Sequence, residues 1–128
     1  MQKNLVSYSS VLGVVVANKR KEVGVEQGDM AERMGLSQAS YSRLESGKST
    51  FSVDQMFQCA EAMNVKVEEL FQLVVNMVKN LDSDEEVVVQ AQPRGNASKA
   101  KSGAGNGTAF VAGAALTALI IGLASKSK

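Results

Sequence analysis

Four side chains that can make specific contacts fall within six residues of the chain, at Gln38, Ala39, Ser42 and Arg43. On a helix these positions would lie outside while the apolar residues between them point inward. An amide or a guanidinium can make two hydrogen bonds to a base edge, a serine hydroxyl can donate or accept, and an alanine methyl can contact a thymine methyl. The segment therefore has the chemistry of a helix that reads the major groove of DNA.

Residues 27–48 supply the two helices that would position these side chains. Gly35 permits the left-handed conformation that ends a first helix over residues 27–34, and Ser37 can cap a second over residues 38–46. Ala31 is small where the two helices would cross. This layout is typical of a helix-turn-helix unit.

Residues 12–71 resemble the lambda-repressor-like (Cro/repressor, or Xre) helix-turn-helix family. The matching residues are Gln27, Met30, Ala31, Gly35, Leu36, Ser37, Leu44, Glu45 and Gly47, then Ala60, Met63, Asn64, Val65 and Leu70, with Val16, Arg20, Val23 and Val25 upstream. Phe51 stands where the family usually has proline, and Asn64 where it usually has glycine, although asparagine also tolerates the left-handed conformation. The resemblance implies an all-α fold with a five-helix DNA-binding domain.

The resemblance also implies roles for individual side chains. Those expected to contact DNA are Gln27, Gln38, Ala39, Ser40, Ser42, Arg43, Lys19, Lys48 and Ser49. Gln27 would meet a phosphate at a helix N-terminus, and Lys19, Lys48 and Ser49 are candidates for backbone contacts, with a plain surface role equally open for each lysine. Arg20 and Glu45 would form a structural pair between the first and third helices.

The remaining helices follow from caps and apolar spacing. A first helix is expected from Ser9 or Ser10 to about residue 23, preceded by an irregular or partly helical arm over residues 2–8. Ser52 and Gln55 form the pattern of a capping box at the start of a fourth helix. A fifth helix is expected over residues 67–81, which ends the domain that begins at residue 1.

The fifth helix carries an apolar seam at Leu70, Val74, Met77 and Leu81. The alternating spacing of four and three residues is that of a coiled coil, which predicts a homodimer. The alternative is that the seam completes the core of a single chain.

Residues 82–107 are first acidic and then rich in Gly, Ser and Lys, which predicts a disordered linker, with a short strand or an apolar loop over residues 87–89. Residues 108–124 carry no charge and form a hydrophobic C-terminal helix. A membrane anchor and an oligomerising helix are both open for this segment.

The whole chain has 128 residues, a formal net charge of +1, no histidine and one cysteine. A Cys/His zinc site and a His-based catalytic pair are thus excluded within one chain, and the sequence predicts no enzyme, cofactor, metal or small-molecule ligand. The unpaired thiol suits a reducing cytoplasm. Residues 1–80 carry nine basic and nine acidic side chains, which weakens the electrostatic argument for DNA.

The leading hypothesis from the sequence is a cytoplasmic, dimeric, sequence-specific transcriptional regulator that binds a palindromic site on double-stranded DNA, with a membrane tether as an added option. The alternative is a non-catalytic interaction or assembly protein that uses the same fold as a docking module.

Overall fold

The computed structural model describes residues 4–91, 110–111 and 114–126. In chain order they form β1 (Asn4–Ser7), α1 (Tyr8–Val23), α2 (Gln27–Met34), α3 (Gln38–Ser46), α4 (Val53–Met63), α5 (Val67–Asp82), β2 (Val87–Gln90) and α6 (Ala114–Lys126). The mostly helical fold with five core helices and a hydrophobic C-terminal helix agrees with the prediction. The predicted linker over residues 92–107 lies outside the described residues.

The turns between the helices depend on residues that adopt positive φ angles. Gly35 ends α2 with φ of 72°, and Asn64 ends α4 with φ of 57°. Asparagine is one of the few side chains that enter this region at low cost, so the fold keeps the same turn at the position where glycine was expected. The capping box is also present: Gln55 N donates to Ser52 Oγ, and Ser52 N donates to Gln55 Oε1, each at 3.0 Å.

Helix α1 is the central element of the core. Residues 11–16 are buried, and a β-branched run of this kind is stable as a helix here because neighbouring elements cover it. At Gly13 the helix meets the backbone of α3: a Cβ at this position would lie 2.6 Å from the carbonyl oxygen of Glu45 and 2.7 Å from that of Leu44. The two helices therefore cross in direct backbone contact.

The N-terminal arm differs from the expectation of an irregular or helical segment, because residues 4–7 form β1. This strand pairs in parallel with β2, with Asn4 opposite Val87 and Ser7 opposite Gln90. Helix α1 begins directly after it and is capped by Ser7, whose Oγ accepts a hydrogen bond from Ser10 N at 3.0 Å. The first part of the segment expected as a linker thus folds back onto the domain, where Val87 is buried.

The C-terminal segment packs on the other side of β1. Phe110 forms a parallel bridge with Leu5, and Val111 N donates to Leu5 O at 2.7 Å. Helix α6 contacts α5 and α1 and fully buries Leu116. Within the described residues, no helix has the length and apolar character needed to cross a membrane.

The apolar seam of α5 lies inside the chain, which corrects its assignment as a dimer contact. Leu70 and Leu81 have no exposed surface, Val74 is 7% exposed, and Met77 packs partly buried against the same core. A side chain without exposed surface cannot contact a second copy unless the core opens. The alternative, a seam that completes the core of one chain, explains the spacing.

Candidate nucleic-acid interface

The polar side of α3 faces outward, as predicted, because the opposite, apolar side is buried. Tyr41 and Leu44 are buried against the other helices, whereas Gln38, Ala39 and Arg43 are exposed. Apolar residues on one side fix the rotation of the helix, so the polar side chains on the other side share a single surface. This surface is available to a groove of DNA.

The serines in and directly before α3 differ in whether they form the helix cap or lie at the exposed surface. Ser37 caps the helix, since its Oγ accepts from Ser40 N at 3.1 Å and also lies 3.0 Å from Ser40 Oγ. Ser40 and Ser42 are half-buried. Ser40 therefore belongs first to the cap, while Ser42 lies beside Arg43 at the edge of the exposed surface.

A buried carboxylate joins the first three helices. Glu45 Oε2 lies 2.6 Å from Arg20 Nε and 2.5 Å from the hydroxyl of Tyr41, which donates to it. Glu45 Oε1 accepts from Gln27 Nε2 at 2.9 Å, and Arg20 also donates to Val25 O at 2.9 Å. The Arg20–Glu45 pair implied by the resemblance is present, and it fixes α3 against α1 and the start of α2.

The protonation of this network follows from its hydrogen bonds. Burial raises the pKa of Glu45, but hydrogen bonds from Arg20, Tyr41 and Gln27 outweigh that effect and hold its pKa below the ordinary value. Burial, together with the hydrogen bond to Glu45, raises the pKa of Tyr41. The network is therefore an ionised Arg20–Glu45 pair with a neutral tyrosine at neutral pH.

The N-terminus of α2 opens into a polar groove beside α3. The groove has a volume of about 530 Å³ and is lined by Arg20, Lys21, Gly24, Val25, Glu26, Gln27, Gly28 and Gln38. The first N–H groups of a helix lack partners within that helix, and they favour an anion such as a DNA phosphate. Gly28 lines this groove beside Gln38, and a Cβ there would make an ordinary contact of 3.7 Å with Gln38 Oε1.

Five residues of this groove were absent from the predicted site, namely Lys21, Gly24, Val25, Glu26 and Gly28. Lys21 is exposed and lies next to Arg20, so the run of basic residues at 19–21 was the signal that could have identified it. Gly28 has no side chain and gives no chemical signal in the sequence. Gln27 lines the groove as predicted, but its amide nitrogen donates to Glu45 and so is engaged in the buried network.

Lys19, which was predicted as a backbone contact, forms ion pairs with two carboxylates. Its Nζ lies 2.8 Å from Glu69 Oε2 on α5 and 3.3 Å from Glu22 Oε1, and its side chain is only 14% exposed. These hydrogen bonds raise the pKa of Lys19. The lysine is held between α1 and α5 because two carboxylates neutralise it there.

The residues directly after α3 are the predicted backbone contacts Lys48 and Ser49. Lys48 is exposed, and Ser49 is half-buried with its N–H donating to Arg43 O at 3.1 Å. This bond fixes the chain direction directly after the helix. Lys48 thus extends from the same end of α3 that carries Arg43.

The two helices α2 and α3, with the turn between them, have the arrangement of a helix-turn-helix unit. A family model described as "Helix-turn-helix" matches residues 16–70, a segment that includes α2, α3 and α4 in full. The fold and the geometry of α2 and α3 agree with that match, so the predicted resemblance is confirmed for this segment.

One curated relative is the cryptic phage CTXphi transcriptional repressor RstR of Vibrio cholerae serotype O1. It is 33% identical over 55 residues, which is 43% of this chain and 49% of that protein. The chain therefore spans about half the length of this relative.

Solved structures share the fold at low sequence identity. The clp gene regulator ClgR from Corynebacterium glutamicum superimposes with a TM-score of 0.57 at 16% identity, covering 77% of this chain and 94% of that one. The wild-type restriction-modification controller protein C.Esp1396I gives a TM-score of 0.53 at 18% identity, covering 56% and 94%.

Proposed function

We propose that this protein binds double-stranded DNA in a sequence-specific manner and regulates transcription in the cytoplasm, as a non-catalytic homodimer on a site with two-fold symmetry. The observation that carries the proposal is the exposed surface of α3, with Gln38, Ala39 and Arg43 beside the open N-terminus of α2. The name of the relative RstR, a transcriptional repressor, supports the same conclusion.

Each exposed side chain of α3 has a role in this proposal. Gln38 pairs with an adenine edge, Arg43 with a guanine, Ala39 contacts a thymine methyl, and Ser42 reaches a base or a phosphate. The N-terminus of α2 and Lys48 hold the DNA backbone. Because few basic residues face the DNA, the binding constant should depend only modestly on salt concentration.

The test compares Arg43→Ala with Lys79→Ala, which removes the same charge from an exposed position on α5. A binding site is first selected from a pool of random duplexes, and competition binding is then measured on that site and on a scrambled duplex. Arg43→Ala should lose about 1–3 kcal/mol on the selected site and relax the preference at one base pair. Lys79→Ala should match the wild type.

Two outcomes would contradict the proposal. Equal losses on both duplexes would remove the base-reading role of Arg43. A wild-type chain that enriches no sequence from the pool would overturn sequence-specific binding as a whole, and would favour the alternative of a docking module.

Exposed apolar side chains on α4 and α5 support the dimer, in place of the buried seam. Val53, Phe57 and Phe71 are 72%, 51% and 53% exposed, and a second copy would remove them from water. Phe57→Glu should therefore give a monomer in sedimentation. Ile121→Glu is the matched control on α6, and a monomer from that variant instead would favour assembly through the C-terminal helix.

A further inference from the structure

Among the residues that the structure describes, Phe110, Val111 and helix α6 are attached to the domain through a small contact. Their backbone contributes one bridge between Phe110 and Leu5, with the hydrogen bond from Val111 N to Leu5 O. The helix fully buries Leu116 and partly buries Leu119 and Ile120, which lie on one face, while Ile121 is 63% exposed. A contact this limited can open locally without unfolding the rest of the domain.

The strand that receives this segment leads directly into the central helix. Ser7 is both the last residue of β1 and the cap of α1. No loop separates the two elements, so a change in the pairing of β1 acts on the first turn of α1.

Helix α1 in turn contacts α3 and the loop after α3 at three points. Ser9 Oγ accepts from Phe51 N at 2.8 Å, which holds the loop between α3 and α4. Gly13 lies against the last turn of α3, and Arg20 pairs with Glu45. A change at the start of α1 can therefore reach α3 through the Ser9–Phe51 hydrogen bond, the close crossing at Gly13 and the Arg20–Glu45 pair.

We propose that Phe110, Val111 and helix α6 form a reversible clasp that regulates DNA binding. When docked, the clasp fixes β1 and the first turn of α1, and α3 keeps its position; when released, both loosen and affinity for DNA falls. The part of this inference that concerns DNA rests on the proposed function. The chain between Ala91 and Phe110 ties the clasp to the domain, so docking is intramolecular and is favoured by a high effective concentration.

The first test measures amide hydrogen exchange in the full chain without DNA. Leu116→Glu places a charge at a fully buried position, whereas Ile121→Glu changes an exposed position of the same helix. We expect exchange over residues 5–12 to become at least tenfold faster in Leu116→Glu and to change less than twofold in Ile121→Glu, with α4 unchanged in both. Unchanged exchange over residues 5–12 in Leu116→Glu would overturn the clasp.

If Leu116→Glu unfolds the whole domain, exchange in α4 will also become faster. A second variant then tests the clasp without a charged substitution. The double variant Leu5→Cys, Phe110→Cys places two thiols at bridged positions, where a disulfide can form. The oxidised protein, in which the disulfide locks the clasp, is compared with the same protein after reduction. Cys59 does not interfere because it is fully buried. The locked form should show at least tenfold slower exchange over residues 5–12 than the reduced form.

Affinity for the selected duplex then decides whether the clasp regulates binding. We expect the locked form to bind at least threefold more tightly than the reduced form. Altered exchange with equal affinity would overturn the regulatory role. If neither form binds any duplex, the proposed function fails, while the exchange results still decide whether the clasp opens.

Discussion

Replacing Gly13 with alanine should destabilise the protein, although alanine is the better helix former. The new methyl carbon would lie 2.6 and 2.7 Å from two backbone carbonyl oxygens of α3, and ordinary contacts begin at 3.4 Å. The helices must therefore separate by about 0.8 Å, and overpacking of this kind costs about 1–3 kcal/mol or somewhat more. The higher helix propensity of alanine offsets about 1 kcal/mol of this cost. Because the methyl group overlaps two backbone oxygens, the cost lies in the upper part of that range, and we expect a net loss of about 1–2 kcal/mol.

Urea denaturation of the full chain measures this change, with Gly28→Ala as the matched control. Gly28 also lies in a helix, but its added Cβ would be 3.7 Å from the nearest atom, the end of the Gln38 side chain. That variant should be within about 0.5 kcal/mol of the wild type or more stable. A Gly13→Ala protein as stable as the wild type would refute the direct backbone contact between α1 and α3.

Two further predictions concern buried titratable groups. Because the pKa of Glu45 is lower in the folded protein, its ionisation stabilises the fold above the ordinary glutamate pKa, and this contribution is lost as pH falls through the folded value. Urea midpoints from pH 7 to pH 3 should therefore fall more steeply in the wild type than in Glu45→Gln, and parallel curves would contradict the ionised pair. Burial raises the pKa of the Cys59 thiol to about 12, so a thiol reagent at neutral pH should label it only in denaturant. Rapid labelling of the native protein would show that the core is open at α4.

Features set by neighbouring residues could be predicted from the sequence. The Ser52–Gln55 capping box depends on four consecutive residues, and the turn at Gly35 on the conformational freedom of one. The outward face of α3 follows from the spacing of its apolar residues. Each of these signals is complete within one turn or one helix, so no distant contact could override it.

Features that depend on distant partners could not be predicted. Lys19 looked like a free cation because Glu69 lies 50 residues further along the chain. The seam at Val74 was correctly recognised as apolar, but spacing does not tell whether the same chain or a second copy covers it. Gly13 carries no local signal of a helix crossing, and a four-residue strand such as β1 has too little pattern to indicate its partner.

The pairing of β1 with β2 also has a consequence for synthesis on the ribosome. Asn4 emerges before the five core helices, yet its partner Val87 is made only after all of them. Helices α1 to α5 can pack as they emerge, because their contacts form early, whereas the strand pairing closes a long loop and must come late. During translation β1 therefore has an unpaired edge until residues 87–90 have emerged.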